Sequence, residues 1–255
     1  MMEAMVRKFL YYATRTPADE PPPPYVRGAR EAWIDAAGGD RVHALYWPAA
    51  AGRPTILFFH GNAQTVFEWA LIRDELAPLA CGLLLLDYPG YGKSGGSPSE
   101  EALYDAGRAA WDWLAGAEKI PAQKIVIFGK SLGGGVAAEI ALGRRPLGLI
   151  LESTFTSIPA VLRNLIPFLP AGILPKSEVY DTAAKLPRIA APVLVVHGAR
   201  DSLIPVREGH ALFAAANEPK RLYLVDGADH NDVAWTAGPA YGDTLRAWLD
   251  EIAES

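Results

Sequence analysis

From Arg30 onward, short runs of apolar residues alternate with longer stretches whose apolar positions recur at helical spacing. Thr55–Phe59, Leu83–Leu86, Ile125–Phe128, Leu147–Leu151, Val193–Val196 and Arg221–Val225 are nearly all apolar, as parallel strands covered on both faces must be. Glu31–Ile34 and Val42–Tyr46 have no room for a helix between them and read as an antiparallel edge hairpin, making about eight strands in all. Ser97-Pro98-Ser99-Glu100 predicts a capping box, with Ser97 as cap, Pro98 at the first helical position and Glu100 two residues further, opening a helix that runs through Trp111 to about Leu114. Near the C-terminus Tyr241, Leu245, Trp248, Leu249 and Ile252 fall on one face of a helix. Strand and helix alternate without a break in composition, so residues 30–255 are expected to form one doubly wound α/β domain with helices on both faces of a mostly parallel sheet.

Before that domain, residues 1–29 read as an extension whose Pro21–Pro24 run is a polyproline spacer. Arg7 and Lys8 precede a patch, Phe9 to Tyr12, too short for a signal-peptide core or a membrane span. The expectation is a cytoplasmic protein with no stable membrane insertion; for the patch itself, an interfacial role and a strand or helix packed on the domain edge are the two readings. Residues 154–190, with Phe155, Ile158, Val161, Leu162, Leu165, Phe168 and Leu169 among several prolines, read either as a short apolar cap or as a connecting helix packed on the sheet.

Charge narrows the function. With 24 Lys+Arg against 29 Asp+Glu the net charge is −5, so no global positive field is present to neutralise phosphates, and nucleic-acid binding is not expected. The single cysteine, Cys81, excludes an intrachain disulfide and a thiolate zinc cluster.

The chemistry concentrates where Ile125–Phe128 runs into Gly129-Lys130-Ser131-Leu132-Gly133-Gly134 and then into helix-forming residues. Gly-x-Ser-x-Gly between a strand and a helix is a nucleophile elbow, a turn so sharp that side chains at the glycines would strike neighbouring backbone. Ser131 is then held at the strand end, with the Leu132 N–H at a helix start aimed at an oxygen that becomes negative in acyl transfer. A serine needs a base and the base an orienting acid. Of the five histidines only His230 lies in a small-residue loop directly after the last strand, Asp226-Gly227-Ala228-Asp229-His230-Asn231-Asp232, which brings it to the same sheet edge. Asp201, in the loop after Val193–Val196, is the expected acid; Glu152, Asp226 and Asp229 compete. The loop Phe59-His60-Gly61-Asn62 closes the third strand, where this fold class supplies a second oxyanion donor, assigned to Asn62, with His60 bracing the loop. Asp87-Tyr88-Pro89-Gly90-Tyr91-Gly92-Lys93-Ser94 reads as a structural turn.

Together these motifs, with His197-Gly198-Ala199-Arg200-Asp201, resemble an α/β-hydrolase over about Arg30 to Ile252, in the order Ser131, Asp201, His230. Within that superfamily the chain is similar to the small serine hydrolases with little or no lid, which include bacterial esterases and abhydrolase-domain depalmitoylases. The resemblance implies hydrolysis of a small-molecule ester through an acyl-Ser131, without cofactor or metal. A carboxylesterase for short-to-medium acyl chains is the leading expectation; a thioesterase or amidase using the same residues, and a non-catalytic binding protein on this scaffold, are the alternatives.

Other motifs fail on spacing. A phosphate-binding loop needs a glycine where the chain has Lys124 or Asp87. Gly90-x-Gly92-x-x-Gly95 matches a dinucleotide fingerprint, yet no helix opens on it and no acid ends a strand about 20 residues on. Asp229, His230 and Asp232 have no recognised metal-ligand spacing.

Overall fold

A computed structural model describes residues 7, 10–165 and 177–254. Eight strands form one sheet: β1 (Arg30–Asp35), β2 (Arg41–Trp47), β3 (Thr55–Phe59), β4 (Gly82–Leu86), β5 (Ile125–Lys130), β6 (Gly148–Glu152), β7 (Val193–Gly198) and β8 (Lys220–Val225). Their spatial order is β1-β2-β4-β3-β5-β6-β7-β8. The first two form the expected hairpin, β2 pairs antiparallel with β4, and every other neighbouring pair is parallel.

The apolar runs are explained by which layer each side chain enters. Leu57 and Phe59 of β3, Leu84 and Leu86 of β4, Ile127 of β5 and Val195 of β7 face one layer. Their alternates Ile56, Phe58, Leu83, Leu85, Val126, Phe128 and Val196 face the other, so every position of a central strand is buried. Helices α3 (Glu100–Gly116), α4 (Leu132–Ala141) and α7 (Val206–Ala215) cover the first face. The second is covered by α1 (Val66–Trp69), α2 (Ile72–Leu76), α8 (Val233–Ala237) and α9 (Pro239–Glu254). In α9 the buried residues include all five of the predicted stripe, Tyr241 through Ile252. Strand β8 differs from its neighbours: as an edge strand it is only half-buried, and Arg221 pairs with Glu251 across to α9.

Helix α3 begins two residues later than its sequence suggests. Ser99 is the cap, its hydroxyl accepting from the Ala102 N–H, and Pro98 lies outside the helix. The reason is tertiary: Pro98 packs on Gly90, so closely that a Cβ at Gly90 would lie 2.5 Å from Pro98 Cδ. Glu178 takes the Glu100 N–H, and the Glu100 carboxylate, free of a capping box, receives the N–H groups of Val179 and Tyr180.

The described residues of the N-terminal extension pack on the domain. Tyr11 and Val26 are buried in the two core layers, and Arg15 bridges to Gly92 beyond the end of β4. In the expected cap, α5 (Ile158–Leu165) buries Ile158 and packs Val161 and Leu162 on the core, while Leu165 is exposed; α6 (Thr182–Lys185) follows. The segment between, 166–176 with Phe168 and Leu169, lies outside the described residues. Among the described residues no helix is long and apolar enough to cross a membrane.

Candidate active site

The turn between β5 and α4 is as tight as its glycines require. A Cβ at Gly129 would lie 2.3 Å from the Gly133 carbonyl oxygen, and one at Gly133 would lie 2.0 Å from that of Phe59. Ser131 takes up the strain, with φ +52° in a region side-chain-bearing residues avoid. Strand β6 holds it there: Ser131 N–H donates to the Glu152 carbonyl (2.9 Å) and Thr154 Oγ1 donates to the Ser131 carbonyl (2.6 Å). Leu132 is the first residue of α4, so its N–H has no acceptor within the helix.

His230 and Asp201 reach the same point from the ends of β8 and β7. His230 Nε2 is 3.0 Å from Ser131 Oγ, and its Nδ1 is 2.8 Å from Asp201 Oδ2. A proton on Nδ1 donated to the carboxylate leaves Nε2 as acceptor for the serine hydroxyl. The other oxygen of Asp201 accepts from the N–H groups of Leu203 (3.0 Å) and Ile204 (2.7 Å), and His197 Nε2 approaches Oδ2 at 3.3 Å. Burial alone would raise the Asp201 carboxyl; the hydrogen bonds from His197 and His230, with the charge of His230, outweigh it and hold it well below the usual carboxylate range. The loops carrying the two residues are latched by Asp229, which accepts from Ser202 N–H (2.8 Å) and His230 N–H (2.7 Å).

On the other side of Ser131 lies the loop after β3. A Cβ at Gly61 would be 3.5 Å from Ser131 Cβ, so backbone approaches the nucleophile closely here. His60 is fully buried between Trp69 and Tyr88, and bonds the Gly61 carbonyl through Nδ1 at 2.6 Å. Burial pushes its pKa down, against the nearby charge of Asp87. The Asn62 side chain is committed to structural bonds with Leu10, Tyr12 and Tyr91. A pocket of about 510 Å³ opens beside it, lined by Gln64, Glu68, Trp69, Glu75, Lys130 and Asn231 among others.

The competing acids are occupied elsewhere. Glu152 is buried and paired with Lys130 Nζ at 2.7 Å, and it also accepts from the Tyr241 hydroxyl. His43, deep in the hairpin, bridges Asp87 (3.0 Å) and Glu31 (2.8 Å), while Asp87 also accepts from the Val66 N–H, which pins the turn after β4. Asp226 takes no part in the described contacts around His230, and among the described residues no group of His, Cys, Asp and Glu is arranged to hold a metal ion. Sequence reading missed two neighbours of the site. His197 contacts Asp201 four residues on, and Lys130, the variable residue inside the elbow, forms a buried ion pair; adjacency to the motif was the available signal for both.

Residues 54–171 match the sequence model of the alpha/beta hydrolase fold. An uncharacterised protein of Mycobacterium tuberculosis is 34% identical over 249 residues, covering 97% of this chain and 88% of its own. The alpha/beta hydrolase domain-containing protein WAV2 of Arabidopsis thaliana is 33% identical over 242 residues, covering 87% of this chain and 78% of its own. Among solved structures, an esterase of Pyrococcus furiosus superposes with a TM-score of 0.73 at 17% identity, covering 94% of this chain and 98% of that one. Shared length, strand order and elbow agree: the chain belongs to the α/β-hydrolase fold family.

Proposed function

We propose that the protein is a serine carboxylesterase that cleaves short-to-medium acyl esters through an acyl-Ser131 intermediate. The observation that carries this reading is the continuous path Ser131 Oγ to His230 Nε2 to Asp201 Oδ2, with steps of 3.0 and 2.8 Å. His230 takes the hydroxyl proton as Ser131 Oγ bonds to the ester carbonyl carbon. The oxygen that becomes negative is received by the N–H groups of Leu132 and Asn62, donors fixed before the reaction and worth about 2.7–4 kcal/mol each in systems of this kind. His230 then gives its proton to the leaving alcohol as the C–O bond breaks. A water repeats the sequence on the acyl-enzyme, releasing the acid and restoring the serine. Ester and water balance the cycle, and no cofactor or metal enters it. Asp201 keeps the imidazole in the required tautomer and stabilises it when protonated.

The pocket beside Asn62 bears on substrate choice. Gln64, Glu68, Glu75 and Asn231 give it a polar lining, with Trp69 as an apolar wall, which suits an ester carrying a hydrophilic group on that side. Solved structures described as esterases share this fold, which agrees with an ester as the substrate class. The test is hydrolysis of p-nitrophenyl esters from two to sixteen carbons, with Ser131→Ala as control. Turnover peaking at short chains and reduced in the variant by a factor on the order of 10⁶ is expected. Silence across the series in folded protein overturns the esterase reading.

A further inference from the structure

The N-terminal segment crosses directly over the loop that carries the proposed second oxyanion donor. Asn62 Nδ2 donates to the Leu10 carbonyl (2.7 Å), and Asn62 Oδ1 accepts from Tyr12 N–H (3.1 Å), Ala63 N–H (2.9 Å) and the Tyr91 hydroxyl (2.6 Å). One residue further, Thr14 Oγ1 donates to the Ala63 carbonyl (2.9 Å). The segment itself is fastened on both sides. Its carbonyl at Thr14 and N–H at Thr16 bracket Gly92 (2.7 and 3.0 Å), and the Arg15 guanidinium bonds the carbonyls of Ser94 and Gly96. The buried Tyr11 hydroxyl bonds Glu178 and the Tyr180 hydroxyl at the base of the cap segment, where Arg7 also pairs with Glu178.

These bonds fall where the loop needs outside support. Ala63 has φ +75°, a conformation costly for a residue with a side chain, and it persists only when its surroundings over-determine it. The Asn62 amide joins the segment to the loop: it donates to Leu10 and accepts from Tyr12 on the segment, and accepts from Ala63 and Tyr91 on the body of the protein. We infer that residues 10–16 are a strap that sets the position of the Asn62 N–H, with the Asn62 side chain as the positioning group through which the strap acts. The inference rests on the esterase reading for its catalytic consequence, and on the strap's own bonds for its structural one. Oxyanion donors act over a few tenths of an ångström, so a loosened loop lowers turnover more than it weakens ground-state binding.

The experiment uses the full chain and a pair of variants at one exposed position. Tyr12→Pro removes the N–H given to Asn62, and Tyr12→Ala removes the side chain but keeps that N–H. A second pair, Asn62→Ala and Asn62→Asp, removes the amide or keeps its acceptor oxygens. With p-nitrophenyl acetate, kcat of Tyr12→Pro is expected to fall roughly ten- to a hundredfold below that of Tyr12→Ala, with KM within about threefold, and Asn62→Asp is expected to recover part of the loss in Asn62→Ala. Equal kcat for the Tyr12 pair, in proteins of matching melting temperature, overturns the inference. Hydrogen exchange at the Ala63 amide separates this from a failure of the esterase reading. That amide keeps its acceptor in both Tyr12 variants, so faster exchange in Tyr12→Pro alone supports the strap even when no ester is turned over, and equal exchange overturns it.

Discussion

Asp201 is held from both sides, by two backbone N–H groups and by two histidines. In the variant Asp201→Asn the carboxamide offers His230 an N–H or a neutral oxygen, so the imidazole loses both its fixed tautomer and the charge that stabilises its protonated form. A loss of kcat on the order of 10⁴ is expected on esters, with KM much less affected. The same side chain shapes stability against pH. Its carboxyl titrates below the ordinary aspartate value of about 3.9, so relative to the unfolded chain it stabilises the fold at and above that pH. The stabilisation disappears as pH falls through the depressed folded value. Unfolding in urea followed from pH 7 to about pH 2 should therefore show wild type beginning to lose its advantage over Asp201→Asn once the pH drops below the unfolded value of about 3.9. Parallel curves would mean that the carboxylate is not held below its unfolded value.

At the scale of elements, the elbow makes the strongest demand on sequence. Gly133→Ala drives a methyl to 2.0 Å from the Phe59 carbonyl oxygen, and because the obstacle is backbone of β3 the strand or the turn must move. Roughly 2–4 kcal/mol of stability and most of the turnover should go together. Gly143→Ala is the comparison: its φ of +67° is strained for alanine, but nothing lies within 4 Å, so about 1–2 kcal/mol is lost and turnover is kept. Thermal melting and ester turnover on the two variants check this, and a Gly133→Ala protein as active as Gly143→Ala would refute it. This locality is why so much could be read from the chain. Parallel strands buried on both faces must be apolar throughout, and the elbow needs glycines at fixed offsets, so Ile125–Gly134 declares itself. Ser131, Asp201 and His230, read from three separate strand ends, do lie within hydrogen-bonding distance. What escaped depends on contacts between distant segments. The start of α3 is set by Pro98 against Gly90, the approach of His197 to Asp201 by the curl of the loop after β7, and the partners of the Tyr11 hydroxyl, Glu178 and Tyr180, lie far along the chain.

For the whole molecule the relevant quantity is the field at the mouth of the site. The chain carries a net −5, and the pocket beside Asn62 adds Glu68 and Glu75 while its one cation, Lys130, is taken up by Glu152 at 2.7 Å. A substrate bearing a carboxylate thus approaches against charge of its own sign, whereas a neutral ester of the same length does not. Glu68 and Glu75 line an open pocket, so the repulsion is screened by salt: the Debye length falls from about 30 Å at 0.01 M to about 3 Å at 1 M. The ratio of kcat/KM for a neutral ester to that for its carboxylate-bearing counterpart should exceed one at low ionic strength and fall toward a limiting value as salt is added. The double variant Glu68→Gln, Glu75→Gln should start nearer that limit, because it removes the two carboxylates that line the pocket and leaves the Lys130–Glu152 pair in place. If the ratio does not respond to salt, discrimination between the two esters comes from the shape of the pocket, and the acidic residues around it act on neither approach nor binding.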